Sequence, residues 1–288
     1  MPWSGEIPRV LAGLCALAWI GASALGLHFG FVPLVIAGSA LLLAISWAYG
    51  VTARSVEVSV VAFYCAMWVI LLAAAGVLSY VGTALGQPLC DAALVRFDAA
   101  LGFDWLRWHA QVEGQRALHW LLLLAYLSGP FQIVAAVIYF GVTGQDGCNR
   151  ELWFNATAAM LLTIVVAALF PAAGAYHYFR LDWHFAPQLP DFFAMRSGGP
   201  HQFVALQGLV SLPSYHTAQA LLFIYAYRAQ PRAFPWVVGL NLLMLLATPV
   251  MGGHYLADIL AGAGVALAAM ARQAVRPQPF TVQPRRRP

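Results

Sequence analysis

Long apolar runs separated by short polar segments dominate the chain. Runs at 10 to 27, 31 to 50, 58 to 84, 117 to 142, 152 to 171, 233 to 251 and 254 to 271 come close to the ~20 residues a helix needs to cross a hydrocarbon core. A further run begins near Pro213, a residue suited to a first helical turn because it has no N–H to lose. It ends at Tyr227, so it is only about 22 Å long at 1.5 Å per residue. Its polar start, Ser211-Leu-Pro-Ser-Tyr-His216-Thr, is therefore expected below the membrane surface. The pattern predicts an all-α fold, a polytopic transmembrane helix bundle of about eight spans. Residues 1–56 would form two N-terminal helices, 57–272 a six-span core, and 273–288, rich in Pro and Arg, a disordered cytoplasmic tail. Ala22-Ser-Ala24 also fits a signal-peptide cleavage site, but a second span follows at once and favours a retained helix.

Finer features follow from spacing. Gly129-Pro130 should kink the fourth span. In the last span Ala257, Ala261, Gly264 and Ala268 recur at three- and four-residue steps, a stripe that lets a neighbouring helix approach closely. Between residues 85 and 116, Leu94, Phe97, Leu101, Trp105 and Trp108 recur at helix-like intervals among charges. They predict an amphipathic helix lying along the membrane interface as a collar. Asn155-Ala-Thr157 matches a glycosylation sequon but falls inside a span and is discounted.

Composition agrees with a lipid environment: 61% of the 288 residues are apolar, 9% are charged, and the mean hydropathy is +0.74. The net charge of +4 gives no reason to expect nucleic acid, because lysine is absent and the arginines are scattered. It reads instead as topology. With eight spans, ten of the arginines (Arg9, Arg54, Arg150, Arg228, Arg232, Arg272, Arg276, Arg285, Arg286 and Arg287) fall on one side and five on the other. The richer side is cytoplasmic by the positive-inside rule, which puts both termini inside. His216 and His254 then share the extracytoplasmic face. A compact, lysine-free chain points to a bacterial inner membrane. Cys15, Cys65, Cys90 and Cys148 have unrelated spacings, which argues against a disulfide or zinc framework.

The candidate chemistry is confined to two clusters. His254 and Asp258 are four apart on a helix, so the carboxylate can accept a proton from one imidazole nitrogen and leave the other free. An ionised carboxylate inside a span costs about 2.5 to 3.5 kcal/mol on insertion scales and needs a partner. Ser214 and His216 occupy the first turn of a helix, where open backbone N–H groups favour an anion. A His-Asp pair that merely joins two helices is the bland alternative, and the second cluster at the same face weighs against it.

Pro213-Ser214-Tyr215-His216, followed by His254-Tyr-Leu-Ala-Asp258, resembles the second and third signature motifs of the type 2 phosphatidic acid phosphatase superfamily. The resemblance implies that His254 attacks phosphorus, Asp258 orients it, and His216 protonates the leaving oxygen. Ser214, Tyr215 and nearby amides would hold phosphate oxygens. Ala247-Thr248 stands where the family's phosphatases carry Ser-Arg, and there is no lysine for their first motif. These features, with Phe170-Pro-Ala-Ala-Gly-Ala-Tyr176-His-Tyr178 and Phe97-Asp98-x-x-Leu101-Gly102, resemble the inositol phosphorylceramide synthase branch. Without the family arginine, countercharge would come from Arg196 and His177, with Arg180, His184 and His201 as further candidates.

The expected activity is a double displacement on a membrane lipid substrate, a phospholipid or lipid phosphate, with no metal and no cofactor. The resemblance implies inositol phosphorylceramide synthase-like head-group transfer to a lipid or polyol alcohol acceptor; the alternative is a lipid phosphate or polyprenyl pyrophosphate phosphatase using water. A metalloenzyme using His216, His254 and Asp258 as ligands, and a non-catalytic transport or assembly protein, are the rival readings. The His-x3-Asp spacing disfavours a lipid acyltransferase of the His-x4-Asp type.

Overall fold

The computed structural model describes residues 5–182 and 186–274, the side chains of 272–274 excepted. His184 and the tail from 275 lie outside the described residues. Eight helical segments stand where eight spans were expected. Helices α1 (Glu6–Ala24), α2 (Val32–Val51) and α3 (Val56–Thr83) come first. Short α4 (Asp91–Ala100) and α5 (Trp105–Glu113) follow, then α6 (Arg116–Leu127), α7 (Gly129–Val142) and α8 (Asp146–Leu169). Past the one-turn α9 (Ala175–Tyr178) and α10 (Leu189–Ser197) lie α11 (Tyr215–Ala226), α12 (Phe234–Met251) and α13 (Leu256–Ala274). By length and composition α1, α2, α3, α8 and α12 can each cross a membrane, and α6 with α7 makes a sixth span bent by 50°. The chain is a multi-pass, all-α membrane protein. Helix α11, and α13 over Leu256–Ala271, are shorter.

The bend has the expected cause. Pro130 lacks the N–H that would continue the helical ladder. A polar relay covers the disturbed backbone: Ser128 Oγ donates to Ala125 O (2.6 Å), Gln132 Nε2 to Ser128 Oγ (2.9 Å) and Asn241 Nδ2 to Gln132 Oε1 (2.8 Å). Within a lipid environment such side chains stand in for water.

Helices α1 and α2 pack along α3, and their connection adds a feature the pattern did not predict. Strand β1 (Leu27–Phe29) pairs in parallel with β2 (His201–Phe203), Leu27 opposite His201. Phe29 stacks on Phe203 at 5.6 Å between centroids, and Tyr80 meets both rings edge-on. At the opposite end, α8 begins at Asp146 rather than 152, so its first turns carry Arg150 and Glu151 to Glu6 and Arg228. Those pairs place the starts of α1 and α8 and the end of α11 together.

Three expectations need correction. The predicted collar is two helices broken at Gly102, with Asp104 capping α5 through the N–H of Arg107 (2.9 Å). Phe97 and Leu101 are exposed, whereas Leu94 and Trp105 turn inward with two buried acids, Asp91 and Asp98. The stripe on α13 is rotated: Gly264 and Ala268 are exposed, and Gly262, Val265, Ala266 and Ala269 face the bundle. Burying Asp258 sets this face, because those positions follow it by four, seven, eight and eleven residues. A Cβ at Gly262 would run into Ser214 O, so α11 and α13 touch backbone to backbone there. Finally, α11 starts at Tyr215, two residues after Pro213, with Ser214 as its N-cap.

Candidate active site

The third motif sits on a loop between α12 and α13 that has no room for side chains. A Cβ on Gly252 would lie 2.6 Å from His254 Cδ2 and 2.7 Å from the Tyr126 hydroxyl. Gly253 has a φ of 66°, and a Cβ there would meet Tyr176 at 2.8 Å. Neighbouring groups hold the loop carbonyls. Trp105 Nε1 donates to Pro249 O and His254 O, each at 3.1 Å. The Tyr176 hydroxyl donates to Val250 O (2.8 Å) and the Ala175 N–H to Gly253 O (2.8 Å).

Asp258 is fully buried. Its Oδ2 lies 3.2 Å from His254 Nδ1 and accepts from the Tyr255 N–H (3.0 Å) and Ser211 Oγ (2.8 Å). The Nδ1–H tautomer of His254 satisfies this carboxylate, which then accepts three hydrogen bonds, and leaves Nε2 with a lone pair. His216 is half-buried in the first turn of α11. The helix entrance is held by Ser214, whose Oγ accepts from the Thr217 N–H (3.4 Å) and whose own N–H donates to Asp258 O (2.9 Å). The Tyr126 ring stacks on His216 at 4.2 Å between centroids, with its hydroxyl 3.3 Å from Nδ1. The His216 and His254 rings stand 6.4 Å apart, inclined at 61°. Two imidazoles, one bonded to a buried carboxylate, meet at the start of α11.

The other expected partners lie elsewhere. Arg196 donates to Gln87 O (2.8 Å) and sits over Phe192, and His177 packs on Phe193 at 4.8 Å. Among the described residues neither forms a hydrogen bond or ring contact with the histidine pair. The buried Tyr215 hydroxyl has no partner among the described residues. Thr248 turns its hydroxyl back to Met244 O (2.8 Å), inside its own helix.

Sequence reasoning missed Tyr126, Tyr176, Trp105, Ser211, Asp91 and Asp98 as site-builders. Both Asp98 oxygens accept backbone N–H groups at the start of α13, Leu256 at 2.8 Å and Ala257 at 2.9 Å. Asp91 accepts from the N–H of Ala173 (3.0 Å) and Gly174 (2.8 Å) and from the Tyr255 hydroxyl (2.8 Å). Burial pushes the Asp98 carboxyl above its ordinary range, against the pull of its two N–H donors. Two signals were available: an acid pair seven residues apart, on one face of a helix, and Asp98 itself within the Phe97-Asp98-x-x-Leu101-Gly102 segment.

The family profile of the PAP2 superfamily matches residues 92–272, which run from α4 through α13 and contain both histidines, Asp98 and Asp258. The chain belongs to the PAP2 superfamily. No curated protein and no solved structure gives a match. Membership supports an enzyme of the lipid phosphatase and phosphotransferase class with a membrane lipid as substrate. The first three helices lie outside the matched region.

Proposed function

We propose that the protein transfers a phosphoryl or substituted phosphoryl head group from a membrane lipid through a phosphohistidine on His254. The observation that carries this reading is the His254–Asp258 hydrogen bond beside the His216 ring, whose centroid lies 6.4 Å from that of His254. His254 Nε2 attacks phosphorus, the bond to the leaving oxygen breaks, and His216 gives that oxygen its proton. His216 then takes the proton of the incoming hydroxyl as that oxygen displaces His254. Ser214 and the backbone N–H groups at the start of α11 hold phosphoryl oxygens. No step requires a metal ion.

The acceptor we favour is an alcohol, as in inositol phosphorylceramide synthase-like transfer. Its support is the Thr248 position, the absence of lysine and the Pro-rich turn at 170–178. We place the site on the extracytoplasmic face of a bacterial inner membrane, from the arginine distribution. Purified protein given phospholipids and lipid phosphates, with and without ceramide, diacylglycerol or inositol, should yield a transferred head group by mass spectrometry. Free phosphate alone would make it a phosphatase using water. Turnover of neither phospholipid nor lipid phosphate, with no phosphohistidine trapped, would leave a transport or assembly role.

A further inference from the structure

We propose that Asp98, supported by Asp91, is a positioning residue that sets His254 against His216 and directs the phosphoryl group to α11 rather than α13. This rests on the phosphohistidine reading of the same site. A helix start leaves its first N–H groups without partners and attracts anions. Two helix starts converge here, α11 and α13, and a phosphoryl group has a choice. At α13 that choice is already taken. Both oxygens of Asp98 accept from Leu256 and Ala257, and the Asp258 N–H donates to Tyr255 O (3.1 Å). At α11 Ser214 caps only the N–H of Thr217, and among the described residues the N–H groups of Tyr215 and His216 have no acceptor. The anion therefore settles beside His216, across from the free nitrogen of His254.

The same carboxylates fix the loop. Asp98 and Asp91 are buried and stand seven residues apart on the inner face of α4. Asp98 grips the two residues that follow Tyr255, and Asp91 ties Tyr255 itself to the turn at Ala173 and Gly174. The three residues that follow His254 are thus tied to α4. Charge-assisted bonds of this kind are shorter and stronger than neutral ones, which suits a clamp.

The test compares Asp98→Ala, Asp98→Asn and, as a control at the far end of the bundle, Glu151→Gln, which removes an acid paired with Arg228 away from the loop. Three quantities are measured on full-length protein in detergent: kcat and KM, the folded fraction by size-exclusion chromatography, and amide hydrogen exchange at Leu256 and Ala257. Asp98→Ala should speed exchange at both amides and lower kcat about 10- to 100-fold, the scale set by small misplacements of a reacting group. KM and folded fraction should stay within about threefold. Asp98→Asn keeps one carbonyl acceptor and should fall between wild type and Asp98→Ala, whereas Glu151→Gln should match wild type. Unchanged exchange in Asp98→Ala, or a kcat that falls only in step with the folded fraction, would overturn the clamp. If wild-type protein turns over neither phospholipids nor lipid phosphates and traps no phosphohistidine, the phosphohistidine reading fails, and the exchange result alone decides whether Asp98 holds the loop.

Discussion

Charged residues gather at both ends of the bundle, and the two ends use them differently. Where α1, α8 and α11 meet, Arg150 pairs with Glu6 and Arg228 with both carboxylate oxygens of Glu151, all in partly exposed positions. At the other end Asp91, Asp98 and Asp258 are buried and bond chiefly to backbone N–H groups, hydroxyls and one histidine. Exposed pairs are screened and contribute little, whereas a buried carboxylate must find donors and so dictates the geometry of whatever supplies them. Charge at one end decorates the fold; charge at the other shapes a loop.

Substitutions sharpen that contrast. His254→Ala should lower turnover by about 10⁴-fold or more and abolish trapped phosphohistidine while the protein stays folded in detergent. Wild-type turnover would remove His254 from the mechanism. Asp258→Asn frees the His254 ring and leaves a buried amide, and kcat should drop by about 10²- to 10⁴-fold. If kcat instead holds while KM rises, the carboxylate serves binding. Gly252→Ala drives a methyl into His254 and the Tyr126 hydroxyl, with an expected loss of about 10²-fold from misplacement alone. A folded Gly252→Ala variant with full activity would show that the loop tolerates displacement. Smallest of all, Glu151→Gln should shift thermal stability by no more than about 1 kcal/mol and leave kcat within twofold. A severe loss there would erase the distinction between the two ends.

Much of this architecture was legible in advance because its cause is local. A run of apolar residues demands lipid or burial wherever it folds, and Gly129-Pro130 bends a helix whatever surrounds it. His254 and Asp258 are one helical turn apart, so their pairing also needed only short-range geometry. The stripe on α13 failed because small residues recur on more than one face, and only the burial of Asp258 selects between them. Arg196 and His177 were attractive by charge and by compartment, yet carbonyls at Gly86 and Gln87 and the ring of Phe193 claim them. Asp91 and Asp98 lay in a segment whose apolar spacing drew attention away from its acids.

The sequence alone determined a membrane-embedded helical bundle, the bend in its fourth span and the identity of the His-Asp pair, because hydropathy, proline and helical periodicity act over a few residues. The tertiary structure decided which helix start remains open to an anion, which acids grip the loop and how far apart the two histidines stand. Those depend on groups such as Asp98 and Ala257, 159 residues apart in the chain, and packing alone brings them together.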